Sequence, residues 1–233
     1  VAAELAARFA GRRAPVVVDL GAGTGATMHA VAPLLPRGQH WRLVDDDPAL
    51  LALAEPPERA TAEAVPLDLS GDLSALFDPV PSLVTASAFF DLAGAVWIDA
   101  FVARLAEHRV PLYAALSYDG RECWQPAHRL DMAALVAFHA DQQRDKGLGP
   151  ALGPDAHAYL SQQLQCAGYR VITGPSDWCL ESPRDARLIA ALARGSAAAI
   201  ERHLGADAHV WADSRLAAER VLVGHRDLLA LPR

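Results

Sequence analysis

Short apolar runs alternate with longer amphipathic stretches along the chain. Val16–Val18 is a β-branched run that ends in glycines, Trp41–Val44 ends in three aspartates, and Ala64–Leu67 ends at Asp68. Ser82–Ala86 and Leu112–Leu116 form a fourth and a fifth run. Runs this short, apolar on both faces, suit strands of a buried parallel sheet. The stretches between them carry helical spacing: residues 1–11, residues 26–35 stopped by Pro36 and Gly38, and a segment holding Trp97 and Phe101. A further helix opens at Pro48, with Asp47 placed to cap it. This alternation predicts right-handed βαβ units, hence an α/β fold with a mostly parallel sheet and helices on both faces.

The rhythm breaks over 120–157, a stretch rich in polar and aromatic residues. It predicts a helix over Asp131–Lys146 followed by the Gly- and Pro-rich GLGPALGPD. Regular structure is expected again as a helix at His157–Ala167 and a strand at Tyr169–Thr173. Two Ala-rich helices follow, Arg184–Leu204 and Ala208–Glu219, then a last strand, Val221–Leu229. With 233 residues, the expectation is one domain spanning 1–233, in which 120–157 is an insertion covering a substrate.

Composition narrows the class. Hydrophobic residues at 52% and charged residues at 21% exclude a disordered chain. A net charge of -7 disfavours nucleic acid as a partner, because an acidic surface repels phosphate backbones. Cys123, Cys166 and Cys179 are odd in number and widely spaced, which argues against a disulfide framework or a structural zinc and for a reducing, cytoplasmic setting. No apolar run has membrane-spanning length, and no leader pattern opens the chain.

Three motifs suggest chemistry. Asp19-Leu20-Gly21-Ala22-Gly23-Thr24-Gly25 follows the first strand, where glycines let the backbone turn tightly and a ligand approach closely. Asp45-Asp46-Asp47 ends the second strand at the distance from the glycines that suits hydrogen bonds to ribose hydroxyls, with Asp45 the better ligand and Asp47 the cap. Asp68-Leu69 ends the third, where a carboxylate accepts from an adenine amino group and a leucine packs on the ring; a plain capping turn is the competing reading.

In order and spacing these motifs resemble those of class I S-adenosylmethionine-dependent methyltransferases. The resemblance spans about the first 120 residues and includes LVTASAFFDL as the fourth-strand motif. It implies a Rossmann-like sheet of seven strands whose last strand is antiparallel and inserted beside the fifth. It implies S-adenosyl-L-methionine as cofactor, no metal, and cofactor contacts from Asp19, Gly21, Ala22, Gly23, Thr24, Gly25, Asp45, Asp46, Asp68, Leu69 and Ser87. The implied activity is methyl transfer to a small-molecule or metabolite acceptor.

The acceptor side has no fixed motif, since displacement at a sulfonium needs alignment more than a triad. Asp91, His139 and Arg144 are the candidate catalytic residues. Phe90, Tyr118, Arg121, Trp124, Gln143 and Lys146 are the candidate substrate contacts, with Phe89 as an alternative aromatic wall. His139, Gln143 and Lys146 at i, i+4 and i+7 are expected to share one helix face, either towards the acceptor or as a solvated stripe. The positive charge of this stretch suggests a polar or anionic acceptor, and its glycines a hinged lid. An RNA methyltransferase, an NAD(P)-dependent oxidoreductase and a cofactor-binding protein without turnover are the alternatives. GxGxG rather than GxGxxG counts against the second, and no Asn-Pro-Pro-aromatic motif supports the first.

Overall fold

The computed structural model describes residues 1–233. Its strands are β1 (Val16–Leu20), β2 (Gln39–Asp45), β3 (Ala60–Pro66), β4 (Leu83–Ser87), β5 (Leu112–Gln125), β6 (Tyr169–Pro175), β7 (Trp178–Glu181) and β8 (Arg220–Pro232). Its α-helices are α1 (Ala2–Phe9), α2 (Ala26–Val31), α3 (Pro48–Leu51), α4 (Ala95–His108), α5 (Asp131–Gln142), α6 (Ala156–Cys166), α7 (Ala186–Leu204) and α8 (Ala206–Arg215).

The strands lie in the order β3-β2-β1-β4-β5-β8-β6, with β7 pairing separately with β8. β1 to β5 are mutually parallel, and β8 runs antiparallel between β5 and β6. The expected seven-stranded plan is therefore present, and β7 is an eighth strand that the sequence reading missed. Side-chain alternation divides the two faces. Val17, Leu83, Tyr113 and Leu229 pack with Leu5, Phe9 and Met28 on one side. Val18, Val84, Leu112 and Leu228 pack with Phe101, Leu105, Leu160 and Leu164 of α4 and α6 on the other.

β5 and β8 run far past this sheet. Their pairing holds two irregularities, between Ala114 and Ser117 and between Tyr118 and Glu122. At the first, Leu116 takes φ 52°, and Asp227 holds the distortion by accepting from the Leu116 amide at 3.1 Å and the Tyr113 hydroxyl at 2.9 Å. Beyond the bulges, the strand tips and β7 pack against α5, α7 and α8 around a separate core with Trp124, Ile189, Ile200 and Trp211 at its centre. Here several expectations are corrected. Residues 120–125 continue β5, and α5 ends at Gln142, four residues early. His139, Gln143 and Lys146 therefore share no helix face: Gln143 is the residue after the helix, and Lys146 lies in the following turn.

Candidate functional site

A cleft of about 510 Å3 opens at the carboxyl ends of β1 to β4. The glycine loop forms one wall. Gly21 takes φ 59°, and a Cβ there would stand 2.9 Å from the Phe89 ring, so only glycine fits between that ring and the loop. The Ala22 amide donates to the Val44 carbonyl at 3.0 Å, tying the loop to β2. Asp45 accepts from the Gly23 amide at 2.8 Å and from the Asp47 amide at 3.0 Å, which fixes its carboxylate at the rim. Asp47 caps α3, accepting from the Ala49 amide at 2.8 Å, as its position suggested.

Gly21, Asp45, Asp46, Asp68, Leu69 and Ser87 all line this cleft. Asp68 accepts from the Ser70 amide at 2.8 Å, and the Ser70 hydrogen bonds hold its carboxyl below the usual range; the capping turn and the cleft position coexist. Phe89 rather than Phe90 is the aromatic wall, while Phe90 is sealed in the core between Phe89, Trp97 and Phe101. Asp19 is the main departure. It lies fully buried below the loop, accepts from Thr85 Oγ1 at 2.6 Å, and leaves Oδ2 without a donor. Burial pushes its carboxyl up to about 7. Ala22 is also buried, and Thr24 is exposed beside Gly25 at the start of α2, so these two, Asp19, Gly23 and Gly25 are not among the residues on the cleft wall, which the loop reaches through Gly21.

Lys146, Gly147 and Leu148 close the cleft from above. They belong to a tight loop in which Asp145 Oδ1 accepts from the Gly147 and Gly149 amides. The loop is latched to the turn after β4 by two backbone bonds, Gly94 N–H to the Leu148 carbonyl and Leu152 N–H to the Ala93 carbonyl, each 3.0 Å. The Lys146 ammonium is 3.5 Å from Asp141.

A second, smaller cavity of about 180 Å3 lies between the outer part of the β5–β8 pair and helices α5 and α7. Tyr118 and Trp124, two of the candidate substrate contacts, line it, and so does Asp91, whose carboxyl burial raises to about 6. Other expected residues are elsewhere. Gln142, not Gln143, faces the cavity. Arg121 is exposed and bound to Asp119 and Asp177, at 2.6 and 2.7 Å. Arg144 is exposed and bound to Asp141 at 3.0 Å. His139 sits outside both cavities, its Nε2 3.0 Å from the Tyr118 hydroxyl, with its ring held below the ordinary histidine range by burial. Glu122, Phe138, Trp178 and His225 also line the cavity and are not among the contacts expected from the sequence. The two-residue alternation Glu122–Trp124 is the signal that would have found Glu122, once β5 was read through to Gln125.

No protein-family model matches the chain, nor does any curated protein. Solved structures do. A protein of Anaeromyxobacter dehalogenans provisionally assigned as a type II methyltransferase aligns over 100% of this chain and 97% of its own, with 18% identity and a TM-score of 0.55. A cyclopropane-fatty-acyl-phospholipid synthase-like protein of Lactobacillus casei aligns over 97% and 89%, with 17% identity and a TM-score of 0.55. The mycolic acid cyclopropane synthase CmaA1, solved with SAH and CTAB, aligns over 98% and 82%, with 11% identity and a TM-score of 0.52. The chain has the class I methyltransferase fold. In this methyltransferase fold the antiparallel β8 lies between β5 and β6, as the motif order implied, and the glycine-lined cleft lies at the strand ends where open α/β sheets place ligands. No helix is long and apolar enough to cross a membrane.

Proposed function

We propose that this protein is a methyltransferase that uses S-adenosyl-L-methionine and acts on a small molecule. The observation that carries the reading is the convergence of Gly21, Asp45, Asp68 and Ser87, from the ends of four strands, on one cleft. The residues suit that cofactor better than a dinucleotide. The Gly23 amide, a natural pyrophosphate donor, is committed to Asp45, and three carboxylates against one lysine line the cleft, so a diphosphate there would meet net negative charge. A nucleoside with no phosphate has no such conflict.

Asp45 has acceptor capacity left for the ribose hydroxyls, since each carboxylate oxygen takes more than one donor. Asp68 is placed for the adenine amino group, and the Phe89 ring offers a π face to a cationic sulfur. The bound cofactor supplies a methyl group made electrophilic by its sulfonium, and a neutral thioether leaves. The chain's own task is then to align an acceptor and keep water out, and the 146–148 loop over the cleft serves the second.

Calorimetry tests this. S-adenosylhomocysteine is expected to bind the parent protein, and Asp45→Ala to weaken that binding by roughly 1–3 kcal/mol through loss of charge-assisted hydrogen bonds. Because Asp45 also holds the Gly23 amide, Asp68→Ala serves as a second variant and is expected to weaken binding in the same direction. Saturable NADP binding with no affinity for S-adenosylhomocysteine would overturn the reading.

A further inference from the structure

The second cavity is acidic and aromatic. Its charged lining is Asp91 and Glu122, and no lysine or arginine reaches it. Tyr118, Trp124, Phe138 and Trp178 supply rings around these carboxylates. Three buried polar atoms in its walls have no partner: Asp91 Oδ1, Gln142 Oε1 and His225 Nδ1, on residues only 7%, 6% and 8% exposed. Such atoms cost free energy unless something satisfies them. Two of the three are oxygens, one of a carboxylate and one of an amide, and such oxygens only accept, so the missing complement is a donor, and the carboxylates ask that it be positive.

The neighbouring cations do not enter the cavity, although, against the burial that raises the Asp91 carboxyl, the Lys146 charge draws it down a little. Arg121 is held by Asp119 and Asp177, and Arg144 and Lys146 are held by Asp141. Aromatic rings beside buried carboxylates are the surroundings in which an ammonium group is bound by charge and by π faces together. The position also fits. Asp91 faces this cavity, while Leu92, the next residue on the same turn, and Phe89 face the cofactor cleft.

We propose that this cavity is the acceptor site and that it takes a small basic amine, which leaves N-methylated. The proposal rests on the methyl-transfer reading and replaces the anionic acceptor that the composition of the 120–157 segment suggested. The amine nitrogen forms the new bond to the methyl carbon as the carbon–sulfur bond breaks, with that electron pair remaining on sulfur. Before that attack the bound ammonium gives up one proton, which frees the nitrogen lone pair; Asp91 and Glu122 are the nearby bases, and burial raises both carboxyls, so each is a stronger proton acceptor than a solvated one.

Trp124 and Trp178 make the cavity readable without cofactor. Benzylamine is expected to change tryptophan fluorescence saturably, while benzyl alcohol and benzoate, at equal concentration, leave it unchanged. Glu122→Gln and Asp91→Asn, each checked for folding by circular dichroism, are expected to weaken benzylamine binding by about tenfold or more. Binding of benzyl alcohol or benzoate as tight as that of benzylamine, or unchanged benzylamine affinity in a folded Glu122→Gln variant, overturns the proposal. S-adenosylhomocysteine calorimetry on the same samples separates the two claims. Cofactor binding with no preference for amines sinks this inference alone, whereas absence of cofactor binding sinks the reading it rests on. With S-adenosylmethionine present, mass spectrometry of a panel of primary and secondary amines, phenols and carboxylic acids is expected to find methylated amines only; a methylated phenol or acid in their place overturns the proposal.

Discussion

Asp19 sits below the glycine loop with one carboxylate oxygen bonded to Thr85 and the other without a donor, and that arrangement makes stability depend on pH. Its carboxyl titrates at about 7 in the folded protein and near the ordinary aspartate value, about 4, in the unfolded chain. Below about pH 4 both states are protonated and the full stability is present. As pH rises from there to about 7, the unfolded chain ionises first and stability is lost, by up to roughly 4 kcal/mol. Asp91, raised to about 6, adds a slope of the same sign. Asp19→Asn keeps the acceptor for Thr85 and removes the buried ionisation. Urea unfolding is therefore expected to find it close to the parent at about pH 4 and clearly more stable at about pH 8. Parallel stability profiles for the two proteins across that range would rule out a buried, late-titrating Asp19. The motif position of Asp19 was legible in the sequence and its burial was not, because burial depends on what β4 places beside it.

At the level of elements, the cleft depends on the latch between the turn after β4 and the loop at 145–150. Gly94 has an ordinary extended backbone, φ -84°, so its role is closeness: a Cβ would stand 2.9 Å from both the Leu148 and Pro150 carbonyls. Gly94→Ala is expected to push that loop off and speed amide exchange at Gly94 and Leu152. Affinity for S-adenosylhomocysteine should fall by about tenfold, as Lys146 to Leu148 lose their place over the cleft. Unchanged exchange at these amides would show that the loop accommodates the methyl group. The elements around the cofactor cleft were legible because each is local. A β-branched run, a glycine turn and a capped helix start such as Asp47–Pro48 are written within a few neighbours. The acceptor side was not, for two physical reasons. β5 was taken to stop at Leu116, whereas its apolar and polar residues continue through two bulges that disturb simple alternation. The stripe His139–Gln143–Lys146 assumed a helix that the chain leaves at Gln142, and the charges of Arg121, Arg144 and Lys146 are neutralised by partners, Asp119, Asp141 and Asp177, that composition alone cannot pair.

Across the whole molecule, two packed regions share one pair of strands. The sheet with α1, α2, α4 and α6 forms the first, and the tips of β5 and β8 with β7, α5, α7 and α8 form the second. Trp211 lies at the centre of the second, stacked edge-on to Trp124 at 5.4 Å, and its ring nitrogen donates to Asp131 at 2.9 Å. Trp211→Ala is expected to destabilise this region by about 3–5 kcal/mol. Hydrogen exchange should accelerate in α7 and α8, while S-adenosylhomocysteine affinity stays within about twofold of the parent. A loss of cofactor affinity in step with α7 and α8 opening would mean that the two regions unfold as one. The shared strands also impose a rule of parity. Glu122 stands opposite Val223 and Trp124 opposite Val221, all facing the second core, whereas Cys123 and Leu222 between them line the outer surface. A slip of one residue along β5 would bring Cys123 inward and turn the carboxylate and the indole out to solvent. A slip of two would keep an inward-facing set and move it by one rung. Lineages descended from such a chain can lengthen or shorten this hairpin only in even steps if the cavity is to survive, and an odd insertion is tolerated only where a further bulge restores the count.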